Sequence, residues 1–184
     1  ENLALIGTKC CLFSVVGQDE FGDTIIKQAQ QVGIETKYVL RTSKEQTSSY
    51  LSVLDDDGDM LVAVNDMNAI KQLTKDYLRE HSNVISGASV IVADANLSGE
   101  TIKYLANEYK NHLLIADAVS TSKAMRLKPY LKSIDILKVN RIEARSLSGI
   151  DSDDLDLIAS WFHEHGVRNI YVTLGADGVF YSDG

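Results

Sequence analysis

The sequence predicts a three-layer α/β fold: a doubly wound, mostly parallel sheet with a small β excursion. Three observations carry that prediction. From about residue 85 onward, four short apolar runs alternate with stretches of helical periodicity. One more strand-and-helix pair stands near the start. Between the two lies a segment whose apolar residues strictly alternate. Continuous apolar runs mean strands covered on both faces, and such strands are parallel and flanked by helices. Strict alternation marks a strand with one face free, which belongs to a hairpin rather than to that core.

The elements follow in order. Residues 10–16 form the first expected strand. A helix over 19–32 places Phe21, Ile25, Ala29 and Val32 on one face, and Gly33 stops it. Within 38–66, the runs 49–54 and 60–65 alternate, and 55–59, with Gly58, is the expected turn of a hairpin. Core strands are expected at 89–93, 112–116, 134–139 and 169–174. Helices between them carry Ile102, Leu105, Ala106 and Tyr109, then the charged stretch 123–132, then a segment from about Arg141, then Leu155, Ile158, Ala159 and Phe162.

Composition bounds the function. The 184 residues suffice for one core and one domain. With 45% hydrophobic and 24% charged residues, the chain is globular rather than disordered. No apolar run is long enough to cross a bilayer, and the first residues lack a basic-then-apolar leader. The adjacent Cys10 and Cys11 make a poor disulfide pair, so buried free thiols in a reducing, cytoplasmic setting are expected. A net charge of −8 disfavours nucleic acid and anionic membranes as partners. It leaves phosphate ligands open, because backbone amides and helix N-termini bind phosphate without a basic surface.

Candidate chemistry clusters after the core strands, where ligands bind in such sheets. Asn140 and Glu143 have the spacing of a helix capping box, and the same amide and carboxylate could serve a hydrated Mg²⁺. Thr173-Leu174-Gly175-Ala176-Asp177-Gly178 reads either as a hairpin turn or as backbone that approaches a nucleotide phosphate. After the first core strand comes Asp94-Ala95-Asn96-Leu97-Ser98. Ser98 is a good N-cap, whereas Asn96 has no evident structural duty and reads as a ligand contact. After the second, Asp117 is a candidate cap and Lys123 either a solvated lysine or a ligand contact.

Other patterns are excluded. The acidic 55–59 stretch lacks the glycine placement and terminal Glu of an EF-hand. His163 and His165 are two apart, which on a helix does not share a face. Neither GxxxxGK[ST], GxGxxG nor GxSxG occurs, which disfavours P-loop, Rossmann-dehydrogenase and α/β-hydrolase chemistry.

Together these residues resemble the ribokinase-like (PfkB) family of carbohydrate and nucleoside kinases. Asn140-Arg141-Ile142-Glu143, after a strand ending in Leu137-Lys138, is similar to its NxxE motif. Thr173 to Gly178 is similar to its TLGxxG segment, and Val16-Gly17-Gln18-Asp19-Glu20-Phe21-Gly22 to its VGxDxxG element. The 38–66 excursion falls where the family has a substrate lid. Within the family, 64–67, 93–97 and 117–120 with Lys123 resemble the pseudouridine kinase subgroup.

The resemblance implies transfer of the γ-phosphoryl of ATP to a sugar or nucleoside hydroxyl, with Mg²⁺. It implies Asn140 and Glu143 at the metal, and Lys138, Asn140, Thr173, Gly175, Asp177 and Gly178 at the nucleotide. Asn96 and Lys123 are expected on the acceptor side, and a homodimer is expected through the lid. The family's base lies in a GAGD motif that would follow Gly184, and its sugar-binding glycines would precede Glu1. Residues 1–184 are therefore expected to be an interior part of one kinase domain, and no catalytic residue is carried over. The alternatives are a kinase for a simple sugar such as ribose or fructose, and a non-catalytic binding module on the same fold.

Overall fold

The strand expected at 10–16 is shorter than its apolar run. In the computed structural model, which describes residues 1–55 and 60–184, the chain divides into two units, Glu1–Leu73 and Thr74–Gly184. The first unit opens with α1 (Asn2–Leu5), β1 (Ser14–Gly17) and α2 (Glu20–Gln31). It continues with β2 (Val39–Thr42), β3 (Ser49–Leu54) and β4 (Met60–Asp66). β1 pairs in parallel with β2, from Ser14 opposite Val39 to Gly17 opposite Thr42. Cys11 makes only an isolated bridge to Glu35. The two cysteines are free, but Cys11 is exposed and Cys10 half-buried, which corrects the expectation of buried thiols. Apolar neighbours there line up outside the sheet proper, so the run does not translate into burial.

One carboxylate organises this unit. Asp19 caps α2, its Oδ1 accepting from the Gly22 amide at 2.8 Å. The Thr47 amide donates to Asp19 Oδ2 at 2.7 Å, and the Thr47 hydroxyl donates to Oδ1 at 2.6 Å. The Gly17 amide in turn donates to that hydroxyl oxygen at 2.9 Å. A Cβ at Gly17 would lie 2.3 Å from Asp19 Oδ2, and one at Gly22 would lie 2.4 Å from the Gly17 carbonyl oxygen. The Gly-x-Asp-x-x-Gly spacing is thus a packing requirement: only glycine lets strand, helix and the Thr47 loop approach this closely. The expected inner face of α2 is only partly covered, with Ala29 and Val32 half-buried but Phe21 and Ile25 exposed.

β3 and β4 form an antiparallel hairpin with Leu51 opposite Val64 and Val53 opposite Val62. Directly opposed residues share a face, so these four aliphatic side chains make one patch, each more than half exposed. The glycine turn expected at 55–59 lies, from Asp56 on, outside the described residues.

The second unit begins with α3 (Lys75–Glu80) and α4 (Ser82–Ser86). It then alternates β5 (Val90–Asp94), α5 (Gly99–Glu108), β6 (Leu113–Asp117), α6 (Thr121–Ala124), β7 (Ile136–Asn140) and α7 (Arg141–Ser148). It ends with α8 (Leu155–Glu164), β8 (Asn169–Thr173) and β9 (Val179–Asp183). The strands form one sheet in sequence order: β5 to β8 are parallel, and β9 returns antiparallel against β8. Leu137, Val139, Ile170 and Val172 of the central strands are fully buried, as are Leu147, Ile158 and Phe162 on the covering helices. Each such side chain contributes about 1.5–3 kcal/mol of burial free energy. Coverage is not uniform, because Val90 and Val92 of β5, at the sheet edge, are exposed. The helix expected over 123–132 is split into α6 and a 3₁₀ turn at Lys128–Ser133. Pro129 at the start of that turn has no amide hydrogen to continue a helix from α6.

The Thr47 hydroxyl and amide, followed by the Gly22 amide, hold the Asp19 carboxyl below its ordinary range. A depressed carboxylate stabilises the fold fully above its unfolded pKa, about 3.9, and loses that contribution as pH falls through the folded value. Urea unfolding of the wild type should therefore weaken more steeply between about pH 5 and pH 2 than unfolding of Asp19→Asn. Parallel pH profiles would remove Asp19 as the hub of this unit.

Candidate active site

The carboxyl ends of the parallel strands fall in two level pairs: β5 and β6 end together opposite Lys138, and β7 and β8 end together two residues further on. Asp94 lies opposite Asp117, Asp117 opposite Lys138, and Asn140 opposite Thr173. Ligands bind along such an edge.

The β5–α5 loop starts as an Asx turn, Asp94 Oδ1 accepting from the Asn96 amide at 2.8 Å. Ser98 caps α5 by accepting from the Thr101 amide, as its position suggested. The β6–α6 loop starts the same way, Asp117 Oδ1 accepting from the Val119 amide at 2.9 Å. Val119 then takes φ 64° inside a γ-turn closed by the Ser120 amide donating to the Ala118 carbonyl at 2.7 Å. A β-branched residue there is strained by about 1–3 kcal/mol, and such strain persists where the surroundings impose it.

Three long side chains tie these loops together. Lys138 Nζ lies 3.2 Å from Asp117 Oδ2. Lys123 Nζ donates to Asn96 Oδ1 at 2.7 Å. Arg126 Nη1 donates to the carbonyls of Ala95, Asn96 and Leu97 at 2.8, 3.2 and 3.1 Å. Three sequence expectations change accordingly. Asp117 caps no helix; it forms the Asx turn and the Lys138 pair. Asn96 has a structural partner, and Lys123 is half-buried against it rather than solvated.

Asn140 and Glu143 form a complete capping box at the start of α7. Asn140 Oδ1 accepts from the Glu143 amide, and Glu143 Oε2 accepts from the Asn140 amide, each at 2.8 Å. Glu143 is 2% exposed, and its charge sits at a helix N-terminus, where the dipole favours an anion. The box uses one carboxylate oxygen and leaves Oε1 outside it. Capping therefore fixes the carboxylate without consuming it. Among the described residues no cluster of three or more His, Cys, Asp or Glu could hold a metal. One amide and one carboxylate fit an ion that keeps most of its waters and takes phosphate oxygens, which is how Mg²⁺ binds.

Thr173 donates its hydroxyl to the Val139 carbonyl at 3.3 Å, so its oxygen is held at the β7–β8 boundary. Beyond it the chain turns back through Gly175–Asp177 into β9, the Leu174 amide donating to the Gly178 carbonyl at 2.9 Å. Gly178 adopts φ 95° and ψ −136°, a conformation open to glycine. The segment is thus a hairpin turn, and Gly175, Asp177 and Gly178 are exposed on it beside the strand ends. His163 and His165 go to separate partners: His163 bridges the Val167 carbonyl and the Ser182 hydroxyl, and His165 stacks on Trp161. A hollow of about 320 Å³ lined by Gln18, Asp19, Thr42 and Lys44 belongs to the first unit and holds none of these candidates.

Sequence reading missed Arg126 and Val119. Arg126 follows Lys123 by three residues, a spacing that puts both on one side of a helical turn and was the available signal. Nothing in the sequence marks Val119.

Comparison with known proteins decides the family. The model of the pfkB family carbohydrate kinases matches residues 1–184, the whole chain. The chain belongs to the pfkB family. The pseudouridine kinase of Escherichia coli K12 is 42% identical over all of this chain and 59% of its own length. A carbohydrate kinase from Agrobacterium tumefaciens superposes with a TM-score of 0.85 at 30% identity, covering 100% of this chain and 59% of that one. An E. coli structure titled ribokinase II, in complex with ATP and Mg²⁺, is 18% identical with a TM-score of 0.78, covering 99% and 64%, and shares the fold. The chain thus spans about 59% of the length of the first two relatives.

Proposed function

We propose that the protein containing this chain is a cytoplasmic pseudouridine 5′-kinase that uses ATP and Mg²⁺. The carrying observation is the 42% identity to a pseudouridine kinase over the whole of this chain, which includes the strand ends. The family match supports ATP as the phosphoryl donor, and a structure that shares the fold holds ATP with Mg²⁺.

In this reading the acceptor's 5′-oxygen bonds to the γ-phosphorus, the bond from that phosphorus to the β–γ bridging oxygen breaks, and ADP leaves. The hydroxyl proton passes to a base that no residue assigned here supplies. Such transfer needs positioning and charge stabilisation more than covalent chemistry. Asn140 and Glu143 would hold Mg²⁺ through water, and the ion would neutralise charge on the phosphates. Lys138, paired with Asp117, would offer its ammonium to a phosphate oxygen. Thr173, Gly175, Asp177 and Gly178 would line the nucleotide, and Asn96 with Lys123 would face the acceptor.

Of the expected 38–66 excursion, β2 belongs to the parallel pair with β1; we read the remaining β3–β4 hairpin as the substrate lid, and its aliphatic face, Leu51, Val53, Val62 and Val64, as a contact between two copies. A flat apolar patch satisfies itself when a two-fold axis apposes it to its own twin.

Two experiments on the full-length protein test these readings. With ATP, Mg²⁺ and pseudouridine, uridine, ribose or fructose, pseudouridine should give the highest kcat/KM, and Glu143→Gln should raise the Mg²⁺ needed for half-maximal rate. Turnover of a hexose alone would move the acceptor to a simple sugar, and binding without turnover would favour a non-catalytic module. In sedimentation, the wild type should be a dimer and Leu51→Asp with Val64→Asp a monomer; a monomeric wild type would refute the contact.

A further inference from the structure

Arg126 carries no role in the reading above, yet its contacts are the most unusual on the strand edge. Its Nη1 gathers the carbonyl oxygens of three consecutive residues, Ala95, Asn96 and Leu97. Carbonyls of successive residues diverge in a strand. They converge here because the Asx turn at Asp94 curls the loop, and their aligned dipoles then call for a cation. Ala95 and Leu97 are buried while Arg126 is exposed, so the guanidinium closes the loop from its outer side. Three residues before Arg126, Lys123 holds the Asn96 side chain. One short segment therefore grips Asn96 twice, by its side chain and by its main chain. That segment is itself fixed upstream by the strained γ-turn at Val119 and the Asp117–Lys138 pair.

We infer that Arg126 is a positioning residue for the acceptor: it sets the Asn96 loop in the conformation that presents the Asn96 amide and the Lys123 ammonium to the substrate. The inference rests on the reading of Asn96 and Lys123 as acceptor-side groups. It predicts an effect on one substrate only, because among the described residues the Arg126 side chain hydrogen-bonds to the Asn96 loop and not to the nucleotide candidates Thr173 to Gly178.

The test is steady-state kinetics of the full-length protein with pseudouridine and ATP varied separately. Arg126→Ala should lower kcat/KM for pseudouridine about tenfold or more, while KM for ATP stays within about twofold. Arg126→Lys should retain most activity, since an ammonium has three donors for the three carbonyls. Added guanidinium should partly restore Arg126→Ala. Combining Arg126→Ala with Asn96→Ala should cost little more than Asn96→Ala alone, because Arg126 acts through that residue. Equal losses for both substrates, or a lower melting temperature with unchanged kinetics, would make Arg126 a merely structural residue and overturn the inference. If Asn96→Ala raises the pseudouridine KM and Arg126→Ala does not, the inference fails and the acceptor-side reading stands. If Asn96→Ala itself has no effect, the acceptor-side reading fails and takes the inference with it.

Discussion

In-register pairing of the parallel strands β5 to β8 is the constraint on which the candidate site depends. Parallel ladders fix which residues lie opposite one another, and here they align Asp94 with Asp117, Asp117 with Lys138, and Asn140 with Thr173. A slip of one residue would turn every side chain to the other face of the sheet. The fully buried Leu137, Val139, Ile170 and Val172 resist such a slip, because it would exchange them for Lys138 and Tyr171 in the core. Apolar packing in the middle of the strands thereby sets the position of polar groups at their ends.

Along the strand ends the polar groups are held by each other rather than left waiting. Asp117 takes both the Val119 turn and Lys138, Lys123 takes Asn96, and Glu143 closes the box with Asn140. Pre-set side chains suit phosphoryl transfer, where position and charge supply most of the rate. The partly exposed ion pair contributes at most about 1 kcal/mol to stability, so orientation is the better account of it. The capping box shows that structural and metal roles need not compete. A carboxylate anchored through one oxygen presents the other at a fixed point.

Much of this was legible because it is local. Continuous apolar runs gave the core strands, alternation gave the hairpin, a spacing of three gave the box at Asn140, and residue type gave the cap at Ser98. What the sequence could not show is what folding brings together. Asn96 and Lys123 are 27 residues apart, and Asp117 and Lys138 are 21 apart. No local pattern encodes either pair, so Asn96 read as a ligand contact without structural duty, Lys123 as solvated or a ligand contact, and Asp117 as a candidate cap. The Gly17, Asp19 and Gly22 spacing was readable as a motif, but its cause, the approach of Thr47, was not. Cys11 misled for the opposite reason: an apolar run implied a strand, and the pairing begins only at Ser14.

The central claim is that one ligand site runs along the ends of β5 to β8. Hydrogen–deuterium exchange of the full-length protein, with and without a non-hydrolysable ATP analogue, Mg²⁺ and pseudouridine, tests it most directly. Slowed exchange should appear at 94–98, 117–126, 138–143 and 173–178, with the acceptor acting on the first two segments and the nucleotide on the last two. Ligand-dependent protection confined to other parts of the chain, with these four segments unchanged, would contradict the account.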